Sequence, residues 1–296
     1  MKYLTQQSLH DLAAAAVSAQ TTLAQIGLQN HMRTTDEKET VVRQKMADRL
    51  QVMRASVEEG CRQGNLSDSG LSGGDALRYD KKTGDQGGLC GQLQTRMIRN
   101  ALAVAEQNAK MGRIVAAPTA GSSGVLPAVL FAIAEERGYS DDQLIEALFT
   151  AAAVGQVIAF RASLSGAEGG CQAECGSAAG MAAAALVELT GGSPQQAIHA
   201  CALAIKSLLG LVCDPVAGLV EVPCVKRNAF SAVQALTAAD MALADIKSFI
   251  PPDEVLDAMK SVGLMMHPDL KETAAGGLAA TPTGKAAAQG CISRLT

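Results

Sequence analysis

Along most of this chain apolar residues recur at the three-to-four-residue spacing of a buried helix face, not at the alternating spacing of a strand. Val41, Val42, Met46, Leu50, Met53 and Val57 show the pattern clearly. Residues 1–64 are expected to form two amphipathic helices, divided near Gly27 to Asp36. A segment dense in Gly, Ser and Asp follows from Gly64 to Gly91, too long for an ordinary connection and therefore expected to be a functional or mobile loop. From Leu93 onward helix follows helix, with candidates at 93–111, 124–137, 141–160, 177–190, 194–209, 227–247 and 253–265. Gly and Pro punctuate the intervening loops. Ser140 before Asp141 reads as an N-cap, and Ser193-Pro194 as a cap followed by a first-turn proline.

No alternating run supports a sheet. The expected fold is mostly α: a compact bundle of Ala/Gly-rich helices whose inter-helical loops carry the chemistry. The chain (1–296) is read as a single domain, with N-terminal helices over 1–64 and the main region over 65–296; a boundary, if present, falls near residue 92.

Composition sharpens this picture. Aromatic residues make up 3% of the chain and Trp is absent, so the core must be filled by small and aliphatic side chains. Small residues let helices approach closely, and Ala is the strongest helix former. A net charge of −4 gives no electrostatic reason to expect nucleic acid or an anionic membrane as partner. Met1 to Gln20 lacks the order of a signal peptide. The most apolar window, Leu144 to Phe160, contains Glu146 and Gln156 and reads as a buried helix, not a bilayer span. A cytoplasmic location is expected, and there the eight cysteines would stay reduced.

Four loops hold polar and small residues in an otherwise apolar sequence. Ala116 to Gly124 (AAPTAGSSG) precedes an apolar helix, so its hydroxyls and free N–H groups suit either an anion such as a carboxylate or simple capping. It lacks the Gly-Lys-Ser/Thr ending of a Walker loop. Ser165 to Gly176 contains Cys171 and Cys175. Leu211 to Cys224 contains Cys213 and Cys224, and the tail from Gln289 contains Cys291. Cys201, inside an apolar helical run, reads as packing. Cys61 and Cys90 have no evident partner. Cys171, Cys213 and Cys224 could converge on a metal, but their spacing leaves iron–sulfur and zinc equally open.

At these loops the sequence resembles the catalytic domain of iron–sulfur-dependent L-serine dehydratases. The resemblance rests on GRIVAAPTAGSSGVLPAVL, SLSGAEGGCQAECGSAAGMAAAALVEL, GLVCDPVAGLVEVPCVKRNAF and HPDLKETAAGGLAATPTGKA, with SGLSGGDA at Ser69 to Ala76. It runs from about residue 65 to the end and is loose before that. It implies a 4Fe–4S cluster held by Cys171, Cys213 and Cys224, with one iron open, and a tail cysteine, Cys291, able to cover that iron. It also implies an alpha (catalytic) chain that works with a beta subunit. Cys175 departs from the family pattern and is taken as packing; Ser123 stands where the family often has cysteine.

Such chemistry would remove the α-proton and the hydroxyl of L-serine, giving pyruvate and ammonia. An open iron would act as Lewis acid on the hydroxyl. Thr119, Gly121, Ser122 and Ser123 are the expected carboxylate donors. The base stays open among Lys226, His267, Glu168 and Lys285, or a residue of another chain. No lysine sits in a setting that suggests a pyridoxal-phosphate Schiff base. The alternatives are a related lyase acting on L-cysteine or L-threonine, a non-catalytic metal-binding scaffold, and an electron carrier with Cys291 as fourth ligand.

Overall fold

The computed structural model describes residues 7–295, apart from the side chains of Asp85, Ile292 and Leu295. The first six residues of the N-terminal segment and Thr296 of the tail lie outside the described residues. Within that span the chain is 71% helical and contains no strand, as the periodicity requires.

At the centre lies α9 (Ser177–Leu189), SAAGMAAAALVEL, whose residues from Ser177 to Val187 are all buried. A helix apolar on every face must be surrounded. It is enclosed by α6 (Val125–Arg137), α7 (Asp141–Arg161), α10 (Pro194–Ser207) and α11 (Cys224–Leu243). Alanine and glycine set the spacing: a Cβ added to Gly180 would sit 2.9 Å from Cys201 Sγ on α10. Outside this layer, α5 (Gly91–Ala109) packs on α6 and α11, and α12 (Pro252–Met265) on α10.

Both expected caps form. Ser140 and Ser193 each make a capping box, with Gln143 and Gln196 respectively, and Pro194 occupies the first turn of α10. The helix α7 is long and apolar enough to cross a membrane, but 67% of its most apolar stretch is buried against the other helices.

The N-terminal segment differs from expectation. It forms three helices, α1 (Leu9–Ser18), α2 (Leu23–Thr35) and α3 (Glu39–Arg62), and Gly27 lies inside α2 instead of at a break. Glycine is needed there for contact, since a Cβ would lie 2.7 Å from that of Ala153 on α7. These helices share the hydrophobic core of the rest of the chain through Leu9, Leu12, Leu23, Leu28, Leu50 and Met53.

The Gly64–Gly91 segment is also more ordered than its composition suggests. It contains α4 (Asp75–Thr83), which packs on α5. A short turn, α8 (Gly166–Gly169), follows α7, and α13 (Pro282–Leu295) closes the chain.

Three helix starts are capped by carboxylates remote in sequence. Glu188 of α9 accepts from the N–H groups of Leu23 (2.6 Å) and Ala24 (3.1 Å). Asp253 accepts from Leu9 (2.7 Å) and His10 (3.1 Å), and Glu106 from Gly74 (3.0 Å) and Asp75 (2.7 Å). Each satisfies orphan donors of a helix N-terminus and opposes its positive dipole end.

Glu106 has no exposed surface, and burial raises its carboxyl above the ordinary 4.5 despite those donors. The folded protein therefore holds the Glu106 proton more tightly than the unfolded chain does. The associated stability is fully present below pH 4.5 and is lost as pH rises through the folded value. The stability advantage of wild type over Glu106→Gln should accordingly shrink as pH rises above 4.5, as measured by urea midpoints. A difference that stays constant with pH would contradict this.

Candidate functional site

Loops that the sequence keeps far apart meet at one end of α9. The chain enters α9 through a π-helical turn, Gln172–Gly176, immediately after Cys171. Such turns are uncommon and concentrate at functional sites. Here the wide turn places Glu174 and Cys175 on the same nest as Cys171. Gln172 anchors it: its N–H donates to Leu211 O (2.9 Å), its Oε1 accepts from Gly210 N (2.9 Å), and its Nε2 donates to Met259 O (2.9 Å).

Cys213 leaves the end of α10 and is pinned by the late HPDLKETAAGG motif. Its N–H donates to Leu270 O and its carbonyl accepts from Glu272 N, both at 2.8 Å. Cys224 opens α11, where Asn228 joins it to the hydroxyl loop. Asn228 Nδ2 donates to Cys224 O (2.9 Å) and Gly121 O (2.8 Å), while its Oδ1 accepts from Gly124 N (2.9 Å).

Cys171, Cys175 and Cys213 form a small buried cluster separate from the main core, and Cys224 is also buried. Cys171 Sγ and Cys175 Sγ are 3.4 Å apart. The hydrogen bond with Cys175 lowers the Cys171 thiol, helped by the adjacent Arg227 guanidinium, and Cys175 itself is pushed far up by the same bond and by burial. Burial, with the charge of Cys171 next, also pushes up Cys213 and raises Cys224 to about 12.

Arg227 ties the nest together, ion-paired to Asp214 at 3.0 Å and donating to Val212 O at 2.8 Å. Asp214 in turn accepts from Leu278 N at 2.8 Å.

Among the described residues no set of three or more His, Cys, Asp or Glu side chains is already disposed around a metal position. The donors nevertheless fit a thiolate-held cluster in kind. Cys171, Cys213 and Cys224 are soft ligands, buried together beside a fixed positive charge that would offset their deprotonation. Cys175 is buried as packing would require, although it packs against a proposed ligand. Cys201 is fully buried in α10 as expected.

The hydroxyl loop faces this nest. Thr119 Oγ1 donates to Glu174 Oε1 at 2.7 Å and lies 3.1 Å from Ser122 Oγ. Among the described residues, Ser123 Oγ is buried without a hydrogen-bond partner, as is Ser177 Oγ in the first turn of α9. Unpaired buried hydroxyls are costly, so Ser123 is a donor available to a ligand. Gly121 and Ser122 keep N–H groups without a protein acceptor among the described residues. Thr119, Gly121, Ser122 and Ser123 are thus brought together, with the Thr119 hydroxyl committed to Glu174.

Among the described residues, none of those considered as bases is hydrogen-bonded to this loop. Lys226 pairs with Asp75 at 2.5 Å, and Glu168 accepts from Ser163 at 2.6 Å. His267 and Lys285 are exposed. The carboxylate that does reach the loop is Glu174, half-buried, with its carboxyl raised by that burial. Its position between Cys171 and Cys175 in a run of small residues was the signal available in the sequence.

Cys291 is buried with Sγ 3.7 Å from Ser69 O, and Arg294 donates to the same carbonyl at 3.3 Å. Ser69 belongs to a clamp that sequence did not suggest. Ser67 Oγ (2.6 Å), Ser69 Oγ (2.7 Å) and Ser72 Oγ all donate to the buried carboxylate of Glu221, between Cys213 and Cys224. The serine-rich segment thereby fixes the second cysteine loop and meets α13. A separate cleft of about 530 Å³ between α2, α3 and α7 touches the hydroxyl loop only at Ala116 to Pro118 and includes none of the thiols. Chemistry locates the site here, not cavity size.

Comparison with known sequences identifies the family. The profile of the family described as Serine dehydratase alpha chain matches residues 18–279. The chain is 49% identical over 279 residues to the probable L-serine dehydratase alpha chain of Bacillus subtilis (strain 168), covering 94% of this chain and 93% of that one. It is 43% identical over 258 residues to the L-serine dehydratase alpha chain of Peptoniphilus asaccharolyticus, covering 87% and 88% respectively. A longer relative, the L-serine dehydratase of Mycobacterium tuberculosis (strain CDC 1551 / Oshkosh), is 52% identical over 184 residues, or 60% of this chain and 40% of that one.

The clamp generates a prediction. Glu221→Ala would leave the Ser67, Ser69 and Ser72 hydroxyls without their acceptor. Its expected cost is roughly 2–4 kcal/mol, with faster proteolysis between residues 64 and 74, read by urea unfolding and limited digestion. A loss below about 0.5 kcal/mol would show that the hydroxyls readily find other partners.

Proposed function

Because this chain belongs to the serine dehydratase alpha-chain family, we propose that it converts L-serine to pyruvate and ammonia, with Cys171, Cys213 and Cys224 as ligands of a 4Fe–4S cluster. The observation that carries the reading is the buried meeting of these thiols with a loop of unpaired hydroxyl and N–H donors. When bound, such a cluster would supply an open iron able to act as Lewis acid on the substrate hydroxyl.

The chain's own residues have distinct tasks in this proposal. Ser122, Ser123 and the N–H groups of Gly121 and Ser122 hold the substrate carboxylate at the start of α6, where donors and dipole both favour an anion. Arg227 offsets the negative charge of the thiolates and keeps Cys213 in place through Val212 and Asp214. Asn228 fixes the hydroxyl loop to Cys224, so carboxylate and metal sites cannot drift apart. Burial removes competing water and strengthens each of these interactions.

The alpha-chain names of the relatives support a beta subunit as partner. So does the longer mycobacterial relative, in which the matched region is 40% of the chain. That beta chain is part of the proposal, as is a cytoplasmic setting in which the thiols remain reduced.

The test is anaerobic reconstitution with iron and sulfide, with the beta chain co-expressed, followed by assays of 2-oxo acid formation from L-serine, L-threonine and L-cysteine. Pyruvate from L-serine is expected, lost on exposure to air. Cys171→Ser, Cys213→Ser and Cys224→Ser should each lose iron and lower turnover by more than the roughly 10–100-fold typical of residues that only support a metal ligand. Cys201→Ser, in the helical core, should retain full iron content. Bound zinc without iron would overturn the cluster, and a loaded cluster that spares L-serine would overturn the substrate.

A further inference from the structure

Glu174 is an ionisable group placed where the proposed chemistry has not yet used it. Its Oε1 accepts from Thr119 Oγ1 at 2.7 Å, and Cys213 Sγ lies 3.9 Å from its Oε2. No other side-chain donor reaches the carboxylate among the described residues. Glycines bound it on two sides: a Cβ on Gly121 would sit 3.1 Å from Oε1, and one on Gly166 would sit 2.7 Å from Oε2. Glu272, whose N–H is bonded to Cys213 O, adds a second negative charge to its field.

The Cys213 thiol, a weak donor at 3.9 Å, leaves Oε2 without a strong partner among the described residues. A half-buried, half-satisfied carboxylate beside a second negative charge is unfavourable and calls for a cation. The neighbouring donors of Gly121, Ser122 and Ser123 call for an anion. A zwitterion with adjacent charges meets both needs.

We infer that Glu174 is the residue that binds the α-ammonium group of the substrate, making the site selective for α-amino acids over the matching 2-hydroxy acids. The inference rests on the dehydratase reading for the identity of the substrate, but not on turnover. Thr119 orients Glu174 through its hydroxyl, and Gly121 and Gly166 keep the space beside it open.

The experiment compares L-alanine, which carries the ammonium but no leaving hydroxyl, with L-lactate, in which a hydroxyl replaces the ammonium. Both are measured by thermal stabilisation of the reconstituted protein, wild type and Glu174→Gln, alongside KM and kcat for L-serine. Wild type should bind L-alanine at least tenfold more tightly than L-lactate. Glu174→Gln, nearly isosteric and still able to accept from Thr119, should lose most of that preference and raise KM for L-serine about tenfold or more. Glu174→Asp should recover part of it, showing that charge is required and not merely a folded loop.

An unchanged alanine-to-lactate ratio in Glu174→Gln would overturn the inference. So would a fall in kcat with the ratio intact, which would assign Glu174 to the chemical step. L-alanine binding that requires potassium in wild type but not in Glu174→Gln would also overturn it, in favour of an inorganic cation at this carboxylate. Binding of L-serine without pyruvate would defeat the dehydratase reading alone, and the ratio would still decide the role of Glu174.

Discussion

Everything in this molecule is arranged around one helix buried on all sides. Over most of α9, alanine, glycine and serine replace the large side chains that usually fill a core, so side chains of neighbouring helices such as Cys201 and Ile205 pack directly on its backbone. Each alanine contributes little burial, and the stability comes from the number of close contacts and from high helix propensity. Such a core tolerates enlargement poorly, because interiors packed to this density have no room for an extra methyl group. The same tightness gives a rigid floor to the loops at its N-terminal end, where the thiols lie.

Carboxylates then set how the outer pieces attach. Glu188, Asp253 and Glu106 each reach across to the N-terminus of a helix far away in sequence, and Glu221 gathers three serine hydroxyls. A buried carboxylate without such donors would be strongly unfavourable, so each fixes one relative placement and disfavours alternatives. The raised carboxyl of Glu106 shows that donors do not fully offset the desolvation. These contacts therefore contribute to the uniqueness of the arrangement as well as to its stability.

At the site the same balance is left incomplete. Among the described residues Ser123 Oγ has no partner and Glu174 has a single strong donor, and the thiols of Cys213 and Cys224 are pushed up by burial. A fold this well satisfied elsewhere leaves groups unsatisfied where a ligand completes them. Arg227 supplies a positive charge, Glu174 a half-satisfied carboxyl group, and the loop at α6 neutral donors. Their adjacency matches a substrate that is itself charged at both ends.

The sequence by itself determined the helical class, the extents of α6, α7, α9, α10 and α12, and the capping boxes at Ser140 and Ser193. These follow from local periodicity and from residues that act on their own neighbours. It also separated the loop cysteines from Cys201, because Gly- and Pro-rich surroundings distinguish them from a helical run. It could not place the break in the first 64 residues, since Gly27 is held in a helix by Ala153, more than a hundred positions away. It missed α4, whose composition resembles a loop but whose start is capped by Glu106. Nor could it single out Glu174, Arg227 or Glu221 from other charged residues. Those roles depend on which side chains meet across loops distant in sequence, and only tertiary packing brings those loops together.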